Sequence, residues 1–187
     1  VFSFSVLRKC NFEKIKEISY GNDTYFTTEA FRNALRIGIS DKVLHQYYMH
    51  ERSVSFMVDK KRLNSSKILL EQGIDYLKKY GQISSTNMMF LFYVYYHSIK
   101  DTILCVLTMQ RTSKEILDIC HIILMAEYTK IIIPLINRDE IINLQNHFAE
   151  WICKNEMDFI VIHRKQILDC LSVLCMNSDL VSYISKK

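Results

Sequence analysis

Ser53-Val-Ser-Phe-Met-Val-Asp-Lys-Lys-Arg-Leu-Asn-Ser-Ser-Lys-Ile-Leu-Leu-Glu-Gln-Gly-Ile-Asp-Tyr-Leu-Lys-Lys-Tyr80 changes hydrophobic period partway along. Val54, Phe56 and Val58 alternate with Ser53, Ser55 and Met57. That is the period of two expected of a strand with one buried face. A polar, turn-like run from Asp59 to Arg62 follows. Beyond it, Ile68, Leu69, Leu70, Leu77 and Tyr80 fall at helical spacing. A strand, a reversal and a helix in one short stretch predict a mixed α/β interaction domain. Nothing in the stretch has the residue types of a catalytic centre.

Working outward, 187 residues suffice for one domain, or one with a short neighbour. Apolar residues make up 49% and charged residues 24%, enough to bury a core and to argue against disorder. Only four Gly and a single Pro, Pro134, interrupt the chain, which favours helices with short connections. A net charge of +4 falls short of a nucleic-acid signature. The clusters Lys60-Lys61-Arg62 and Lys186-Lys187 read as a solvated turn and a solvated end. The six cysteines, at 10, 105, 120, 153, 170 and 175, form no Cys-x-x-Cys pair. They read as reduced, packed thiols of a cytoplasmic or nuclear protein. Residues 1–10 do not read as a signal peptide. The apolar run 88–96 is too short to span a bilayer.

Element by element, 1–6 alternates Val and Phe with Ser and predicts a first strand. A short helix is expected over 11–20 and a turn at Gly21-Asn22-Asp23. A helix starting near Thr27 or Thr28 ends at Gly38. Ser40 caps another over 41–50, with Val43, Leu44, Tyr47 and Tyr48 on one stripe. Residues 88–96 are apolar on both faces and predict a central, doubly covered strand. A helix follows over 98–109. Thr112 and Glu115 make a capping box for a helix over 113–128, whose Ile116, Ile119, Cys120, Ile123, Leu124 and Met125 belong to the core. Pro134 breaks the next run. Residues 139–154 are amphipathic through Ile142, Leu144, Phe148, Trp151 and Ile152, and 165–175 closes the pattern. No repeat of solenoid length occurs.

Chemistry is sparse. A metal centre needs converging ligands. Cys120 and His121 are adjacent and point to different sides of a helix. Cys170, Cys175 and His163 read better as packed residues, and His45 and His50 miss the spacing that shares a helix face. No nucleophile elbow, glycine-rich phosphate loop or His-Glu-x-x-His motif is present. The expectation is a protein without enzymatic activity, cofactor or metal.

The order of elements resembles a BTB/POZ domain followed by a partial BACK domain. Residues 41–51 resemble the family's dimer helix, and Val54-Ser-Phe56-Met-Val58-Asp59 its first strand. Leu63-Asn-Ser65-Ser66-Lys67-Ile68-Leu69-Leu70 resembles the second strand and the start of the following helix. Met125-Ala126-Glu127-Tyr128-Thr129 is similar to the ending of a later helix. Phe148-Ala149-Glu150-Trp151-Ile152-Cys153-Lys154-Asn155 and Ile167-Leu168-Asp169-Cys170-Leu171 resemble BACK helices. The chain departs from the family at Ser53, Ser66 and Ile74, where Asp, His and Ser are usual.

The resemblance implies an α+β, helix-rich fold. An N-terminal extension (1–40) precedes a BTB/POZ-like domain with a small sheet (41–136) and a BACK-like helical segment (137–187). It further implies a homodimerising adaptor, with a cullin-type ubiquitin ligase as a possible partner. Val43, Leu44, Tyr47, Tyr48, Ile68 and Leu69 are the candidate partner or dimer surface. The alternative is an all-helical regulator similar to the TetR type. In it Ala34 to Leu44 forms a helix-turn-helix, and Ser40, Lys42, Gln46 and Tyr47 face DNA.

Overall fold

Residues 88–96, expected as a central strand, lie inside one long helix. In the computed structural model, which describes residues 2–42, 58, 60–175 and 179–186, the order is α1 (Phe4–Leu7), α2 (Asn22–Asn33), α3 (Lys60–Lys79), α4 (Ser85–Leu107), α5 (Ser113–Met125), α6 (Glu127–Ile132), α7 (Arg138–Cys153), α8 (Met157–Ile162), α9 (Arg164–Val173) and α10 (Asp179–Lys186). Short 3-10 turns occupy Glu13–Glu17 and Ile133–Leu135. The described residues contain no strand, so the expected α+β architecture with a BTB/POZ-like sheet is overturned.

The reason lies in α4. An apolar run with both faces buried has no period that separates strand from helix. Length decides it: no Gly or Pro interrupts Ser85–Leu107. Its buried residues Tyr95, Tyr96, Ile99, Thr102, Ile103 and Val106 recur at three- and four-residue steps. The strand expected over 1–6 is likewise absent, and Phe4–Leu7 is a helical turn. Of the strand expected over 54–58, Val58 alone is described, and it is not in a strand. The rest lies outside the described residues, as does most of the helix expected over 41–50.

The chain divides into two units, Val1–Leu91 and Phe92–Lys187. In the first, Ile18, Tyr25 and Ile68 form a small core, with Phe12, Ile15 and Leu69 packed against it. Gly21 starts α2 from the left-handed region at φ 78°, and a Cβ there would lie 2.7 Å from Leu69 Cδ1. The positive φ favours glycine, and any larger residue would also have to push the end of the Leu69 side chain aside. α2 therefore begins at Asn22, earlier than expected, and ends at Asn33, short of Gly38. Polar stitches tie the helices together. Ser65 Oγ accepts from the Ser19 and Tyr20 amides at 2.9 and 3.3 Å. Gln72 Nε2 donates to Tyr25 O at 3.2 Å, and Tyr80 Oη to Arg32 O at 2.6 Å. Gly73 admits Leu91, whose Cδ2 lies 2.8 Å from where a Cβ would stand.

The second unit is built on a larger apolar core that includes Ile103, Leu117, Leu124, Leu144, Phe148, Ile167 and Leu171, each fully buried. α5 opens with the expected capping box: Thr112 Oγ1 accepts from the Glu115 amide at 3.3 Å, and Glu115 Oε2 accepts from the Thr112 amide at 3.1 Å. The helix expected over 113–128 is interrupted at Ala126, whose ψ of 140° leaves the helical region. Asn137 caps α7 through the Asp139 amide at 3.1 Å. Ile141, rather than the expected Ile142, turns inward. Two buried tyrosines spend their hydroxyls inside the core: Tyr95 with Thr129 Oγ1 at 3.0 Å, and Tyr96 donating to Glu140 O at 2.5 Å. No described helix is long and apolar enough to cross a membrane.

Candidate functional site

α8 reads Met157-Asp-Phe-Ile-Val-Ile162, with more apolar side chains than one inward face can hold at 3.6 residues per turn. Ile160 takes the buried position. Met157 and Val161 are left two-fifths or more exposed, and Ile162 is 75% exposed. His163 turns the chain into α9, where Ile167, Cys170 and Leu171 face the core. The outward residues Val161, Ile162 and Leu168, with Arg164, Lys165 and Asp169, line an open groove of about 450 Å³. Tyr183 of α10 stands by, its hydroxyl 3.7 Å from Met157 Sδ.

One side of this groove is braced by a polar ladder between α5 and α9. Asp118 Oδ1 accepts from Lys114 Nζ at 2.6 Å and Gln166 Nε2 at 3.0 Å. His121 Nε2 lies 3.3 Å from Asp169 Oδ2. Residues three apart on one helix meet residues three apart, in the same order, on the other, so α5 and α9 run in the same direction. Lys114, with help from Gln166, holds the Asp118 carboxyl below its ordinary range. Arg164 Nη2 donates to Ser185 O and ties α9 to α10.

The ladder has the residue types of acid–base chemistry but lacks a nucleophile. Cys120 and Cys170 lie behind it in the core. Burial pushes both thiols up, Cys170 to about 12. Neither supplies thiolate at neutral pH. Ser172 Oγ is committed to Asp169 O at 2.7 Å. Among the described residues no group of three or more His, Cys, Asp or Glu converges as a metal site. Of the cysteines weighed for such a site, Cys170 is buried and Cys175 exposed.

A second hollow, of about 430 Å³, belongs to the first unit, and its lining includes Lys9, Lys14, Arg32, Lys79, Glu13, Glu29 and Asp75. Its charges alternate in sign, and several of its groups already serve the fold. Lys79 Nζ donates to Arg32 O at 3.3 Å, and Asn33 Nδ2 to Glu29 O at 2.9 Å. Tyr25 is pushed up by burial and by the Glu29 carboxylate, which keeps its phenol neutral.

Of the residues expected at a partner surface, Ile68 is buried in the first unit's core and Leu69 packs against it. These two serve the fold. Val43, Leu44, Tyr47 and Tyr48 lie outside the described residues. For the DNA-binding alternative, Ser40 and Lys42 are exposed, while Gln46 and Tyr47 lie outside the described residues. The first helix of that motif, expected to run to Gly38, stops at Asn33, where Ala34 is extended with ψ 138°, and most of the second lies outside the described residues. The sequence reading missed the α8–α9 corner. The signal was present in the crowding of Met157, Phe159, Ile160, Val161 and Ile162 into six positions. No family model, curated protein or solved structure matches the chain.

Proposed function

We propose that this chain is a non-enzymatic protein-binding module that works through the α8–α9 corner of its second unit. The observation that carries the reading is Ile162, 75% exposed beside the groove lined by Val161 and Leu168. A large branched side chain in water beside an apolar groove gains by being covered, at about 25 cal/mol per Å² removed from water. The buried thiols of Cys120 and Cys170, the committed hydroxyl of Ser172 and the mixed signs of the first unit's hollow support a role without catalysis. The cullin-adaptor reading came from a resemblance that also implied a small sheet, and the described residues contain none.

A photo-reactive amino acid placed at Ile162 should give one discrete cross-linked adduct in cells. Val161→Asp in the same chain should abolish it. A matched probe at Lys130, outside the groove, should give none. Equal, diffuse cross-linking at both positions would remove the reading.

A further inference from the structure

α2 ends at Asn33, and no secondary structure follows through Lys42. Here the chain reads Ala34-Leu-Arg-Ile-Gly-Ile-Ser40, with apolar residues at 35, 37 and 39 and Arg, Gly and Ser between them. In an extended chain these fall on opposite faces. Leu35 is 95% exposed, Ile37 55% and Ile39 98%. The main-chain amides and carbonyls of Leu35 to Ile39 form no hydrogen bond within the described residues. No proline removes a donor, and a Cβ on Gly38 would meet nothing within 4 Å. Arg36 makes no ion pair or cation–π contact among the described residues.

We propose that residues 34–40 are a strand-addition segment, which pairs with an exposed sheet edge of a partner protein bearing an acidic side chain opposite Arg36. Unpaired amides supply affinity in such pairing, and alternate side chains supply specificity. Ile37 and Ile39 suit a pleated, half-buried surface. A second copy is the poorer occupant: it would make an isolated two-stranded pair, which is marginal, whereas a partner's sheet edge adds the segment to strands already paired. The proposal stands apart from the α8–α9 corner and does not depend on it.

The test uses the full, isotope-labelled chain and a cyclised β-hairpin whose free edge alternates Val and Glu. In the free monomer the amides of 35–39 should exchange unprotected. Saturating hairpin should slow the amides of Leu35, Ile37 and Ile39, which share one edge of the segment, at least tenfold. Ile37→Pro, which removes a donor from a segment outside the core, should abolish protection with the helical circular dichroism unchanged. Replacing the hairpin's Glu with Lys should weaken binding at least tenfold. No protection at saturation, or equal binding by Ile37→Pro, overturns the proposal. So does protection already present without hairpin, whether the chain sediments as a monomer, pairing within itself, or as a dimer, pairing with a second copy.

Discussion

The two units reach stability by different routes. In the first, the buried apolar residues Ile18, Tyr25, Ala30, Ile68 and Leu70 share the interior with the buried polar residues Glu29, Arg62, Ser65 and Ser66. In the second, Thr102 and Thr129 are the polar members of a far larger buried apolar set among the described residues. Both units carry hydrogen bonds from side chain to main chain, but they hold a larger share of the first unit's thin interior, while packing dominates the second's. The difference bears on what reads out of a sequence, because packing leaves a periodic imprint and stitching does not.

The largest expected effect tests the packed side. Phe148 is fully buried and stacks on Trp151 at a ring separation of 5.8 Å. Phe148→Ala should cost about 3–5 kcal/mol by lost transfer energy and cavity formation. In the thin core of the first unit, Ile18→Ala should cost about 2 kcal/mol, the low end for such truncations, because a small core collapses around the gap. Urea denaturation followed by residue-resolved hydrogen exchange measures both. Equal costs would erase the contrast between the units.

The stitched side is tested by Ser65→Ala. Ser65 is fully buried and its Oγ accepts from two successive amides. Its removal deletes hardly any volume but takes an acceptor from the Ser19 and Tyr20 amides, for a loss of about 1–3 kcal/mol. Exchange at those two amides should accelerate first. A loss below about 0.5 kcal/mol, within the usual range of surface substitutions, would mean that the stitches are incidental.

This contrast explains what was legible. The Thr112–Glu115 capping box, the inward positions Ile116, Cys120, Ile123 and Leu124, and the amphipathic α7 were readable because local chemistry and period agree there; Ile119 and Met125, expected with them, are only half-buried, and Leu117 is fully buried instead. The strand expected over 88–96 failed because a run apolar on both faces carries no usable period. Ile141 was legible too: it stands three and seven residues before Leu144 and Phe148, on their face of α7, whereas Ile142 falls about a quarter-turn off it. Gly21 was read as a turn, but its second constraint, contact with Leu69 far along the chain, is a property of the fold. The α8–α9 corner was missed because periodicity finds inward faces and passes over apolar residues that have nowhere to go.

A smaller effect probes the second unit's buried polar contacts. Burial, reinforced by Glu140, pushes the Tyr96 phenol up to about 12. An unfolded tyrosine ionises near pH 10. The folded value is the higher one, so this contribution is complete below about pH 10 and is lost as pH rises towards about 12. Tyr96→Phe should cost about 1 kcal/mol at neutral pH, through the lost bond to Glu140 O. It should also flatten the alkaline limb of the stability profile and remove a tyrosine that ionises near pH 12 from an ultraviolet titration. An unchanged titration would show that Tyr96 is not sealed in the core.

The smallest effect belongs to the ladder beside the groove. Lys114 and then Gln166 hold the Asp118 carboxyl below its ordinary value. Here the folded value is the lower one. The contribution is present above the unfolded value, about pH 4, and is lost as pH falls through the folded one. The pair is half-exposed, so its worth is that of a surface ion pair, a few tenths of a kcal/mol and weaker in salt. Asp118→Asn keeps an acceptor for Gln166 but removes the charge facing Lys114. Its stability profile should run flatter than wild type below about pH 4 and converge with it in 1 M salt. A loss above about 1 kcal/mol that persists in salt would mean that the ladder clamps α5 to α9 as a stitch. The second unit would then share the construction of the first, and the contrast between the two would narrow to core size alone.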